Sequence, residues 1–344
     1  MSGVRWNVSI TYSDPDSSAD YQAGYSSDAN SNFTSAQFES FSQINADMLA
    51  ALHFSLNADV GVSAATGFAI EGFTNLQIDY AGSGTGLSTI RVANSSDAGT
   101  AYAYYPSSSI YGGDSFFGTA ARTPTAAGNY SWHTMIHEMG HSLGLKHGHE
   151  AVAMPSNIDS NEYSVMTYRS FVGGTTSFTT WETWGAPQSY MMYDIAALQY
   201  MYGADFTTNS GNTTYSWSPT TGQTFVNGAV AINPGANRIF ATIWDGGGID
   251  TYDLSNYSTN LVVDLTPGGH SVFSSVQLSN LNGANWNGLG AQYARGNIFN
   301  ALQFNGDARS LIENATGGSG NDTIIGNAAN NTLLGNDGVD VLFG

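Results

Sequence analysis

Eleven residues constrain this chain more tightly than any others: His137-Glu138-Met139-Gly140-His141-Ser142-Leu143-Gly144-Leu145-Lys146-His147. They fit H-E-x-x-H-x-x-G-x-x-H at every fixed position. His137 and His141 are one helical turn apart, so on a helix both imidazoles leave from one face. The pattern predicts a helix from about Ser131 to Leu143, stopped by Gly144. A left-handed turn at Gly144 costs glycine little and would swing the chain back to deliver His147. Three imidazoles suit one zinc ion at about 2.0–2.1 Å and leave its fourth position open, as a metal that does chemistry requires. Glu138 follows His137 on the same helix, near the ion but off it, where it can take a proton from water at the open position. His133 and His149 hold no motif position and are read as surface residues or supports around the site, not as ligands.

The chain has 344 residues, room for two domains and a full core. It has no cysteine, which excludes disulfides and thiolate metal sites. Eight Lys and Arg face 27 Asp and Glu, for a net charge of −19. Such a surface repels nucleic acid and anionic membranes. Its acidity suits either solubility or cation binding, and the C-terminal repeats favour the second. No run of 18 apolar residues occurs, so no membrane insertion is expected. The opening residues lack the apolar stretch of a secretory signal, so export is expected to use another signal or one outside this sequence.

Residues 4–12 alternate apolar with polar, a strand pattern. Thr34 to Gln37 reads as a capping box, and Phe38, Phe41, Ile44, Met48, Leu49 and Leu52 follow at helical spacing. Further strands are expected at 76–80, 88–93 and 101–105, and a second helix from about Ser189 to Tyr202, stopped by Gly203. Beyond about 208 only short strand-like pieces such as 238–244 and 261–265 appear, among Gly/Asn/Asp turns. The expected domains are 1–207 and 208–344.

Residues 317–343 repeat with a period of nine. Gly317-Gly318-Ser-Gly320-Asn-Asp322-Thr-Ile-Ile325 is followed by Gly326-Asn-Ala-Ala-Asn-Asn331-Thr-Leu-Leu334 and Gly335-Asn-Asp337-Gly-Val-Asp340-Val-Leu-Phe343. The pattern matches the Gly-Gly-x-Gly-x-Asp-x-U-x nonapeptide of calcium-binding parallel β-rolls. Calcium takes six to eight oxygens, which glycine turns expose as carbonyls and aspartates supply with charge. Asp322 and Asp340 are 18 residues apart, so alternate turns would bring both to one edge. Asn331 stands on the opposite edge, where an ion would bind weakly or not at all. The pairs Ile324-Ile325, Leu333-Leu334 and Leu342-Phe343 are expected to stack into a core, which argues against a flexible linker.

The zinc motif resembles that of the metzincin metalloproteases. Tyr163-Ser-Val-Met166-Thr-Tyr168 looks like their Met-turn. The resemblance narrows to the serralysin group through Ala101 to Pro106 with Gly113-Asp114, Met192 to Gln199 with Tyr202-Gly203-Ala204, Trp244 to Thr251, and Ile312 to Asp322. It covers most of the chain from about residue 100. It implies an α+β metzincin catalytic domain followed by an all-β domain with a short parallel β-roll. By resemblance, Met166 is a structural floor beneath the histidines and Tyr168 a phenol that steadies the oxyanion. The same resemblance makes Asp245, Gly246, Gly248 and Asp250 a calcium loop, and Gly317, Gly318, Gly320, Asp322, Gly335, Asp337 and Asp340 the calcium residues of the repeats.

The function implied is a secreted zinc endopeptidase with one catalytic zinc and several structural calcium ions. Its partners would be protein or peptide substrates, bound along an edge strand near 88–105, with a proteinaceous inhibitor as a further candidate. It would act as a monomer and leave a bacterial cell by type I export. The group usually has more repeats, an export signal after them and a propeptide, none visible here, so the chain reads as close to a mature, trimmed form. Two rivals stay open. A calcium-dependent adhesion module leaves the histidine motif unexplained, and a metal enzyme acting on a non-peptide bond is not required by any residue.

Overall fold

A computed structural model describes residues 1–21, 25, 40–84, 88–96, 98–122 and 124–344. The Thr34–Gln37 capping box and Phe38 lie outside them. The N-terminal half is built on a five-stranded sheet: β1 (Ile10–Ser13), β2 (Ile78–Tyr80), β3 (Ile90–Asn94), β4 (Ala101–Ala103) and β5 (Ser115–Phe117). The order is β2-β1-β3-β5-β4, parallel except for β4, which runs antiparallel at the edge. Of the alternating segment 4–12, only its end is a strand. Val8 is exposed, and Trp6 donates its indole N–H to the Ser142 carbonyl at 2.9 Å. That segment docks on a helix end instead of pairing in the sheet.

Helix α1 (Ala46–Leu56) starts where the Asn45 side chain accepts from the Met48 amide at 2.9 Å. Met48, Leu52 and Leu56 then fall on one buried stripe, whereas Phe41 and Ile44 precede the helix. Helix α2 (Tyr130–Ser142) is capped by Asn129 and packs on α1, with Phe54 and Trp132 rings 4.8 Å apart. Every residue of α2 after Tyr130 is buried, so it runs through the core and does not lie on a surface. Helix α3 (Met192–Tyr202) starts three residues later than its expected Ser189 and ends at Gly203, φ +83°. No α-helix follows it among the described residues.

After α3 come β6 (Thr214–Trp217), β7 (Thr224–Val226), β8 (Ala229–Ile232), β9 (Ala241–Ile243), β10 (Thr251–Asp253), β11 (Val262–Asp264), β12 (His270–Ser271), β13 (Ile298–Asn300), β14 (Asn314–Thr316), β15 (Thr323–Ile325), β16 (Thr332–Leu334) and β17 (Val341–Phe343). A six-stranded sheet runs β16-β14-β10-β6-β7-β8, beside three-stranded sheets β11-β15-β17 and β12-β13-β9. The nine-residue period therefore alternates between two parallel ladders. Thr251, Asn314 and Thr332 share one register, and Val262, Thr323 and Val341 the other.

The apolar pairs of the first two repeats divide, because neighbouring strand residues point to opposite faces, whereas Leu342 and Phe343 on the edge strand β17 are both exposed. Ile324 is buried while Ile325 is not, and Leu334 is exposed although Leu333 packs on the core. One apolar cluster extends from Ile10 through Met139, Met166 and Trp244 to Ile324, joining the two halves of the chain.

Candidate metal centre

The end of α2 builds the turn that brings the third histidine back. The Leu145 amide donates to the Gly140 carbonyl and the Gly144 amide to the His141 carbonyl, both at 2.9 Å. This is the paired closure of a helix by a left-handed residue. Gly144 has φ +103°, and a Cβ there would overlap the Val4 carbonyl oxygen. The position thus demands glycine twice, for its backbone angle and for its space.

The turn brings the three imidazoles together. The Nε2 atom of His147 lies 3.0 Å from that of His141 and 3.2 Å from that of His137. Each opposite ring nitrogen faces an oxygen that can only accept. His137 Nδ1–H donates to the Val165 carbonyl at 2.8 Å, His141 Nδ1–H to the Leu145 carbonyl at 2.7 Å, and His147 Nδ1–H to Glu150 Oε1 at 2.7 Å. The protons are therefore on Nδ1, and three Nε2 lone pairs point at one another. Neutral nitrogens so arranged repel unless a cation lies between them. Four ligands about 2.0–2.1 Å from a tetrahedral zinc stand about 3.3 Å apart, close to the observed edges. The donor set fits zinc. Burial holds His141 down at about 4, and it holds His137 well below its ordinary range, with neighbouring imidazoles adding to the effect, so both keep their lone pairs.

Glu138 is buried, its Oε2 has no hydrogen-bond partner among the described residues, and burial pushes its pKa up to about 8. Tyr168 lies across the site, its ring 4.5 Å from that of His147 and 5.8 Å from that of His137. Burial, aided by Glu138, pushes its phenol up to about 12. Met166 is buried beneath the helix. A Cβ on Gly140 would come within 2.6 Å of its sulfur. His137, Glu138 and Tyr168 line a cleft of about 380 Å³ together with Thr100 and Ala101 of the β4 edge.

Several supports carry no motif signal. Asp194, third residue of α3, is buried and accepts from Ser164 Oγ at 2.6 Å, the Val165 amide at 2.7 Å and the Met191 amide at 3.0 Å. It ties the Met166 turn to α3. An acidic residue in a helix's first turn is the signal that could have found it. Glu150, three residues after His147, is the acceptor of its ring. His133 is buried, not a surface residue. It lies one turn before His137, lines the cleft and has its ring 4.7 Å from that of Trp181. His149 stacks on His147 at 5.3 Å.

A family model described as Peptidase M10 serralysin C terminal matches residues 204–280, and one for the RTX calcium-binding nonapeptide repeat matches residues 316–344. Serralysin B of Dickeya chrysanthemi is 35% identical over 238 residues, covering 65% of this chain and 43% of that protein. Metallopeptidase AprA of Pseudomonas marginalis is 31% identical over 245 residues, 67% of this chain and 45% of the relative. Metalloprotease AprA of Pseudomonas entomophila is 30% identical over 263 residues, 72% and 48%. The chain belongs to the serralysin-type metalloproteases with RTX repeats. It spans about half the length of the curated relatives it matches.

Within this serralysin-type chain, Asp245 and Asp250 are buried side by side. Burial and mutual repulsion raise Asp245; burial, with Glu313 nearby, raises Asp250. Tyr215 donates to Asp245 at 2.7 Å and the Thr213 amide to Asp250 at 2.8 Å, while Asp250 Oδ2 has no hydrogen-bond partner among the described residues. A Cβ on Gly246 or Gly248 would overlap the carbonyls of Thr208 or Gly211. Buried carboxylates among close-packed carbonyls fit a hard cation.

In the repeats, the turns after β14 and β16 both cross from the first ladder to the second, so Asp322 and Asp340 share one edge. The Asp322 amide donates to Asp340 Oδ1 at 2.9 Å. A Cβ on Gly317 or Gly335 would overlap the Asp322 or Asp340 carboxylate, and one on Gly318 or Gly320 the Tyr257 or Thr259 carbonyl. Asp337 is exposed. The turn holding Asn331 crosses in the other direction, on the opposite edge.

Proposed function

We propose that the chain is a secreted zinc-dependent endopeptidase that hydrolyses internal peptide bonds of proteins. The observation that carries this reading is the convergence of three Nε2 lone pairs, each ring fixed by an acceptor at its other nitrogen, beside a buried carboxylate whose Oε2 has no partner among the described residues. His137, His141 and His147 hold the zinc. Zinc, when bound, supplies Lewis acidity to the attacking water and the scissile carbonyl. Glu138 accepts the water proton on its carboxylate and passes it to the leaving amine nitrogen. Tyr168 keeps its phenol proton and donates it as a hydrogen bond to the carbonyl oxygen as charge develops there. Met166 supports the histidines from below. The substrate lies extended along β4, the last strand in the sheet order among the described residues, which borders the cleft.

The catalytic unit is a metzincin domain over 1–207, and 208–344 is a calcium-stabilised β-domain ending in a short β-roll. Calcium is held by the Asp245–Asp250 loop and by the Asp322 and Asp340 edge. No helix among the described residues is long and apolar enough to cross a membrane. Casein digestion by the purified chain tests the reading. Phenanthroline is expected to stop cleavage and added zinc to restore it, with about one zinc per chain by metal analysis. Cleavage unaffected by the chelator would overturn it.

A further inference from the structure

The two edges of the repeat ladders are closed by different chemistry. On one, Asp322 accepts from the Gly318 amide with Oδ2 and from the Leu261 amide with Oδ1, both within 2.9 Å. On the other, Asn331 takes the equivalent place, and its Oδ1 accepts from the Asn327 amide at 2.8 Å. A backbone N–H can only donate, so that atom is the amide oxygen and the side-chain N–H₂ points the other way. It donates to the Glu313 carbonyl at 2.8 Å and to Asn327 Oδ1 at 3.1 Å. Asn327 is oriented by the same logic. Its Oδ1 accepts from the Ala329 amide at 3.0 Å, and its N–H₂ donates to the Leu265 carbonyl at 2.9 Å and the Ile312 carbonyl at 2.8 Å.

Three carbonyls that converge on this edge are thus satisfied by amide protons. A cation at the same place would face those N–H groups and not lone pairs, and the neutral asparagine would lend it no charge. The edge does not fit calcium, although the repeat family implies it.

We propose that Asn327 and Asn331 are a built-in replacement for a calcium ion: they lock the Leu265, Ile312 and Glu313 carbonyls together with side-chain amides, so this edge of the ladders closes without metal while the Asp322 edge depends on it. The proposal rests on the reading of the Asp322 edge as calcium-binding. It implies graded folding, in which a calcium-free chain keeps one edge formed as a template for the other.

The test compares the full chain with Asn331→Asp, both stripped of metal and titrated with calcium alone. The aspartate would set an acceptor against the Glu313 carbonyl, a clash that a cation resolves. Asn331→Asp is expected to take up one calcium more per chain than the wild type. Its melting temperature without metal is expected to fall below that of the metal-free wild type, with the gap narrowing in calcium. Equal calcium uptake by the two proteins would overturn the proposal. Should Asn331→Asp not fold, hydrogen exchange on the wild type decides. Protection over 326–331 is expected to survive calcium removal, and its loss would overturn the proposal. A wild type that takes up no calcium would sink the reading of the Asp322 edge instead, and the difference between the two proteins would still judge the asparagine lock.

Discussion

His137 Nδ1 donates to the carbonyl of Val165, the residue immediately before Met166, at 2.8 Å. The amide of the same Val165 donates to Asp194 at 2.7 Å. One peptide segment therefore couples a metal-binding ring to a carboxylate on α3. Asp194→Asn would turn an amide N–H₂ against groups that donate to Asp194 now. Because such supports typically tune metal affinity by roughly 10–100-fold, zinc affinity is expected to fall by about that factor. Competition with a chromophoric chelator reads it, and unchanged affinity would remove Asp194 from this role.

Gly144 combines φ +103° with a carbonyl at the place of its missing Cβ. Gly144→Ala is expected to cost about 1–3 kcal/mol in urea unfolding, because strain at such a backbone angle is of that order. It should also displace His147 and weaken zinc binding. Full stability in the variant would mean that the turn tolerates a side chain.

Tyr168 is held up at about 12 by burial first and by Glu138 second, so it stays a donor through the working range. Tyr168→Phe is expected to lower kcat by roughly 10²–10³, the typical loss for one oxyanion donor, with little change in KM. A variant with wild-type kcat would leave the phenol without a catalytic part.

Asp245 and Asp250 have their pKa values raised by burial, with carboxylate repulsion contributing, so the calcium-free fold binds protons that the unfolded chain releases. Their contribution to calcium-free stability is therefore present at low pH and lost as pH rises through the folded-state values. Calcium binds the ionised pair. The rise in melting temperature on adding calcium to metal-free protein should be larger at pH 8 than at pH 5.5. A rise independent of pH would contradict this.

The zinc helix was legible because its spacing is geometric. Four-residue steps put His137 and His141 on one face, and only glycine suits the place of Gly144, so the expected span differs from the observed one by a single residue at each end. The nine-residue period was legible as stacked turns for the same reason. The strand expected over 4–12 was not, because alternation alone cannot tell a sheet partner from a helix end. Trp6 found the Ser142 carbonyl, leaving Val8 exposed. The paired apolar residues misled in a simpler way, since a strand can bury only every second side chain. His133, Glu150 and Asp194 act through contacts made by folding, and no spacing rule points to them as a set. Asn331 was legible as a departure from the repeat, but the direction of its N–H₂ toward Glu313 is a property of the fold.

Glu138 carries the central claim, because its carboxylate is beside the three imidazoles and takes no part in holding the ion. Glu138→Ala, assayed for casein cleavage and for zinc content in one preparation, tests that claim most directly. The expected result is cleavage reduced by roughly 10²–10⁴-fold or more, as loss of a general base implies, with about one zinc per chain retained. Cleavage at the wild-type rate with zinc in place would contradict it.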